Sequence, residues 1–227
     1  MGRVLYCEGM PALSILTIAG AVLWAALVLV VQVLTPEHDV LTMGMSALAA
    51  GKHGWLMKAA FVVRGLTALA LVATVAANVP VVACSLAGLV FFALWGGGSA
   101  LLACFDTDMS GQKPTRDGAA HMFVALLAYV SAVVGMALIS WDLTRAHSTS
   151  DLARVALALT VLAAIALLAQ FAGFSAAARD ARPGGRRRPA LAGERALARG
   201  LARYAGLLQR IFVVLVMVWA VIVAIGI

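Results

Sequence analysis

The stretch LLACFDTDMSGQKPTRDGAAHMF, residues 101–123, sets Asp106 and Asp108 where one apolar run ends and His121 where the next begins. Carboxylates and imidazoles are the groups that exchange protons near neutral pH, so two acids beside a histidine outline a general acid–base site. An earlier polar segment adds Glu37, His38, Asp39, Ser46, Lys52 and His53. Whether these groups meet depends on the elements that carry them.

The chain has 227 residues, of which 63% are hydrophobic and only 12% charged. Its mean hydropathy of +1.01 is far above what a soluble domain presents to water. Runs near the roughly 20 residues needed to cross a bilayer lie at about residues 12–34, 55–78, 80–105, 120–141, 152–175 and 207–227. The expected fold is therefore all-α, a polytopic bundle of six transmembrane helices forming one domain over residues 1–227. The first run is too long, and lacks the small-residue site, to be a cleaved signal peptide.

Local signals refine the picture. Pro80 predicts a tight hairpin between the second and third spans. Ser148 and Asp151 have capping-box spacing at the start of the fifth span, and Asp117 is a candidate cap for the fourth. The GGGS at 96–99 predicts close helix approach, while Gln32, Asn78 and Gln170 are expected to bond neighbouring helices. Of Cys7, Cys84 and Cys104, the last two fall near opposite ends of one span, on the order of 30 Å apart, and cannot pair.

Six spans put loops one, three and five on one side and both termini on the other. The fifth loop, about residues 176–206, carries Arg179, Arg182, Arg186, Arg187, Arg188, Arg195, Arg199 and Arg203. The positive-inside rule then assigns these three loops to the cytoplasm of a plasma membrane and both termini to the outside. Within that loop RPGGRRRP predicts a flexible part. Arg195, Arg199 and Arg203, spaced by four, predict a short basic amphipathic helix. Its expected partners are membrane lipids with anionic head groups, each arginine contributing about 1 kcal/mol. No aromatic residues interleave with the arginines, so nucleic acid is not expected.

Topology gathers His38, Asp39, Ser46, Asp106, Asp108 and His121 near one membrane face. Arg64 falls about nine residues into the second span, on the order of 13 Å below its start. A charge there costs about 3 kcal/mol or more, so it must snorkel, pair or line a wet cavity. Asp106 and Asp108 are its nearest counter-charges by topology. In one reading the cluster is structural, with one aspartate paired to Arg64. In the other it is chemical: Asp108 turns back toward His121 and Ser46, the two carboxylates share a poorly solvated pocket, and one pKa rises. Asp106 or Asp108 would be the acid or base with His121 as partner, Ser46 a hydrogen-bonding group, and Arg64 with His38 and Asp39 would bind the substrate. A metal site would draw on His38, Asp39, Asp108 and His121, but no two have a recognised ligand spacing, and no metal or cofactor is expected. GMSAL around Ser46 lacks the second glycine of a nucleophile elbow.

HDVLTMGMSALAAGKHGWLMKAAF, ACFDTD and TRDGAAHM, in that order, resemble the bacterial and archaeal membrane family catalogued as domain of unknown function 998. The resemblance implies a serine after the first-loop segment, an aromatic-Pro-Thr-Asp signature ending the third span and a histidine opening the fourth. Ser46, Asp108 and His121 match those positions. Asp106 departs from it, standing where the family typically has proline, so a helix stop is lost and a carboxylate gained. With 14 Arg against 3 Lys the chain looks like the product of a GC-rich bacterial genome. Three roles follow: a non-catalytic accessory or sensor protein, which leads; an intramembrane enzyme acting on a lipid or isoprenoid; and a small-solute transporter, disfavoured because the charges cluster toward one surface rather than the midplane.

Overall fold

The computed structural model describes residues 10–79, 83–109, 115–145, 150–180 and 192–227. The Pro80 hairpin, the Ser148 cap, Cys7 and the RPGGRRRP segment lie outside these residues. The described elements are helices α1 (Met10–Leu34), α2 (Gly54–Asn78), α3 (Ala83–Leu101), α4 (Arg116–Arg145), α5 (Ser150–Asp180), α6 (Ala192–Arg203) and α7 (Ala205–Gly226), with 3-10 turns at Met45–Ala50 and Leu102–Cys104. Among the described residues, the six helices other than α6 are long and apolar enough to cross a membrane. Their bounds follow the apolar runs, but α4 and α5 continue beyond the expected ends, to Arg145 and Asp180. The backbone ladder needs no apolar side chains, so a helix runs on into polar flanks. The expected short helix of the basic loop is α6, with Arg195, Arg199 and Arg203 exposed along it.

Sequential helices pack against one another, α1 on α2, α2 on α3, α3 on α4 and α4 on α5, and α7 closes the bundle by touching α1, α2, α4 and α5. Large apolar side chains face outward, as at Val33, Leu168 and Phe123, which suits hydrocarbon rather than water. The interior is aromatic: Phe92 lies 4.9 Å from Trp95 and 5.0 Å from Trp219 between ring centroids, and Tyr129 lies 4.9 Å from Phe212. These tilted arrangements suit the ring quadrupoles.

Small residues let the backbones approach. A carbon added at Gly98 would lie 2.9 Å from the Ala128 side chain, and one at Gly135 would lie 2.8 Å from the Phe92 backbone nitrogen. The GGGS segment thus serves close helix approach as expected, at Gly96 and Gly98, whereas Gly97 faces open space. One polar chain crosses this core. Trp219 Nε1 donates to Ser140 Oγ at 3.0 Å, Ser140 lies 3.3 Å from Thr160 Oγ1, and Thr160 donates to the Ala156 carbonyl at 2.8 Å. It joins α7, α4 and α5.

Candidate functional site

The polar residues of the loop-bearing end divide into three groups, and the first is the junction between α3 and α4. Here α3 gives way to a 3-10 turn and then to extended backbone at Phe105. Asp108 accepts from the Thr115 amide at 3.0 Å and from the Thr115 hydroxyl at 2.7 Å. Thr115 Oγ1 accepts in turn from the Gly118 amide at 3.0 Å. Thr115, not Asp117, is therefore the side chain that caps α4, because the cap must precede the first helical turn to reach its free amides. The Asp108 carboxylate rests so close to Gly118 that any added side-chain carbon would collide with it. These bonds hold the Asp108 carboxyl below its ordinary range, first through the Thr115 hydroxyl and then through the amide. The expected rise in a carboxyl pKa does not occur at Asp108.

His121, one turn into α4 and buried, places Nδ1 3.1 Å from the Phe105 carbonyl, and a carbonyl only accepts, so Nδ1 carries the hydrogen. It thereby ties the end of the α3 segment to α4, and no bond joins it to Asp108 among the described residues. Asp106 does not pair with Arg64 either: Lys58 Nζ lies 2.8 Å from its Oδ1. Depth decides this. Lys58 sits six residues before Arg64, about 9 Å nearer the loops along the helix, level with an aspartate whose side chain is 72% exposed. The two carboxylates are held by different partners.

The second group fastens loop one to α7. Arg210 Nη1 donates to the carbonyls of Val40 (3.1 Å), Met43 (2.9 Å) and Gly206 (3.0 Å), while Nη2 donates to Gln32 Oε1 at 3.0 Å and lies 3.4 Å from His38 Nδ1. Gln32 Nε2 returns a bond to the His38 carbonyl at 3.1 Å. His38 Nε2 lies 3.1 Å from the Gly44 carbonyl, which assigns the hydrogen to Nε2 and leaves Nδ1 to accept from Arg210. Burial lowers the His38 pKa, and the Arg210 charge lowers it further, both favouring the neutral ring. The Leu41 carbonyl accepts from the amides of Gly206 and Leu207 at the start of α7. Asp39 is exposed and closes a local turn, accepting from the Thr42 hydroxyl at 2.6 Å and the Leu41 amide at 2.9 Å, which lowers its pKa.

The third group lies in the bundle interior. Arg64 is 1% exposed. Its Nε donates to Ser99 Oγ at 3.2 Å, the Phe61 ring lies 5.4 Å from its guanidinium carbon, and Tyr129 faces it. Gln209 Nε2 donates to Tyr129 Oη at 3.2 Å, and Gln209 Oε1 accepts from the Met45 amide at 2.7 Å. A bonded path thus runs from loop one through α7 to α4, beside the arginine of α2. Ser46 is half-buried in the 3-10 turn next to Met45, and no bond joins it to His121 among the described residues. The described residues contain no group of three His, Cys, Asp or Glu able to hold a metal ion.

Arg210 and Lys58 are among the residues that sequence reasoning missed. Both had a signal: Gln209 and Arg210 are adjacent polar residues inside an apolar run, and Lys58 opens a span facing two acids.

The family model described as Protein of unknown function (DUF998) matches residues 18–226, which takes in about two thirds of α1 and every later span. The chain belongs to this family. Neither a curated protein nor a solved structure matches it. In this DUF998 protein, two of the three positions that carried the resemblance, Asp108 and His121, both act at the α3–α4 junction. At Asp106, where the resemblance implies a proline, the expected loss of the helix stop does not occur, because the 3-10 turn ends α3 and His121 takes the Phe105 carbonyl.

Proposed function

We propose that this DUF998 protein is a non-catalytic accessory or sensor protein of the cell membrane. The observation that carries the reading is the engagement of its acids and imidazoles by the chain's own groups. Asp108 is bound by Thr115, Asp106 by Lys58, His121 by Phe105, and His38 by Gly44 and Arg210. A catalytic acid or base must instead be within reach of a substrate proton. An architectural origin predicts that Asp108→Asn and His121→Gln lower the melting temperature of the purified protein, His121→Gln by about 1–2 kcal/mol in stability. Complementation of a deletion strain should fall only as folded protein falls. Function lost at an unchanged melting temperature and expression level would sink the reading in favour of a lipid- or isoprenoid-directed enzyme.

The same proposal places loops one, three and five in the cytoplasm, both termini outside, and α6 on an anionic lipid surface. Supporting it are the exposed Arg195, Arg199 and Arg203 and the 65% exposed Leu197 on one short helix. A cysteine introduced at Arg187 should resist an impermeant thiol reagent in intact cells, whereas one at His147 should react. The opposite labelling pattern would invert the topology.

A further inference from the structure

Arg64 poses an electrostatic problem that the chain leaves open. A guanidinium stays protonated inside proteins, and a buried, unpaired charge is strongly unfavourable. Among the described residues the ion pairs are Lys58–Asp106 and Arg154–Asp151, and Arg64 joins neither. One face of the guanidinium is covered by Phe61, a weak partner. Ser99 takes the Nε hydrogen, the Tyr129 hydroxyl is a second side-chain partner, and Nη2 is buried with no hydrogen-bond partner.

The groups around it are short of acceptors. Ser99 Oγ accepts from Arg64 and Tyr129 Oη accepts from Gln209, so each hydroxyl still has a hydrogen to give. Among the described residues no acceptor is bonded to either hydrogen. Arg64 of α2, Ser99 of α3 and Tyr129 of α4 thus meet at a buried charge that has no ion-pair partner among the described residues and whose Nη2 hydrogens are unreceived. A water molecule would satisfy the hydrogens but not the charge. We propose that Arg64, Ser99 and Tyr129 form an internal site for one small monovalent anion of the halide class.

Size and charge select that class. Arg64, Phe61, Ser99 and His121 are each at most 2% exposed, which leaves no path for the tail of an amphiphile. A phosphate would bring more than one negative charge against a single cation. A halide is compact, spherical and accepts from several directions. The inference is independent of the accessory or sensor role.

The test is to melt the full-length protein in detergent with rising sodium chloride against sodium gluconate at equal ionic strength, since gluconate is too large to enter. The melting temperature should rise and saturate with chloride, and with bromide, but not with gluconate. Arg64→Gln should abolish the difference between salts, and Ser99→Ala and Tyr129→Phe should each raise the half-saturating chloride concentration about tenfold. Chloride dependence retained in Arg64→Gln would assign the effect to the basic α6 and overturn the site. Equal melting of the parent protein in both salts, with no broadening of the chloride NMR signal, would also overturn it. Should Arg64→Gln fail to fold, an unchanged half-saturation in Ser99→Ala is sufficient to reject the site.

Discussion

Replacing Arg210 with alanine should cost about 3–5 kcal/mol of stability. The side chain is half-buried, and its two terminal nitrogens serve the carbonyls of Val40, Met43 and Gly206 and the amide oxygen of Gln32. Its loss strands those acceptors and removes the partner of His38 Nδ1. Among the described residues, loop one would then be held to α7 by its backbone bonds to the start of that helix and by the Gln209 bond to Met45, and to α1 by the Gln32 bond to the His38 carbonyl. Arg210→Lys retains the charge, but an ammonium on a flexible stem cannot fork between Gln32 and two loop carbonyls, so it should recover less than half of the loss. Thermal melts in detergent measure the stability, and hydrogen exchange over residues 35–50 reports release of the loop. A melt of Arg210→Ala within about 0.5 kcal/mol of the parent, the range of an ordinary surface substitution, would mean that the latch bears no load.

Gly135→Val should be comparably damaging, for a steric reason. An added carbon at Gly135 would lie 2.8 Å from the Phe92 backbone nitrogen, 3.0 Å from its Cβ and 3.1 Å from the Gly88 carbonyl. Two of those three are backbone atoms, which cannot rotate away, so α3 and α4 must separate. Overpacking costs about 1–3 kcal/mol at ordinary core sites and more where backbone has to move. Phe92 also packs on Trp95 and Trp219, so the separation reaches α7. Gly97→Ala supplies the internal control. A carbon there meets nothing within 4 Å, and alanine in a helix interior gains about 0.5–1 kcal/mol over glycine. Equal melts for Gly97→Ala and Gly135→Val would refute this account of the α3–α4 contact.

Hydropathy marked the six long helices because a bilayer demands roughly 20 consecutive apolar residues, a one-dimensional requirement that a one-dimensional string displays. The basic helix α6 was equally visible from the four-residue spacing of its arginines. Rotation about each axis is not displayed in that way, since a lipid-facing side chain and a core-facing one have similar hydrophobicity. The candidate site suffered from this. Asp106 and Asp108 lie at the loop-bearing end of the bundle and Arg64 in its interior, and their partners depend on depth and on fractions of a turn. Lys58 lies level with Asp106, Thr115 closes on Asp108, and Arg64 sits too deep for either acid. Arg210 escaped notice because it opens an otherwise apolar run, where length and composition still register only a span.

The bond chain from Trp219 through Ser140 to Thr160 bears on how densely information is written in such a chain. Outward positions such as Val33 and Leu168 meet only hydrocarbon, so one aliphatic letter there is nearly synonymous with another. Helices built from synonymous letters have no reason to prefer one azimuth over the next. An indole hydrogen and two hydroxyls remove that degeneracy, because in a dry interior a rotation of α7 by even one position leaves a donor unanswered. Three residues thus act as an index mark shared by three helices. Most of the surrounding text can be rewritten without changing what the bundle spells.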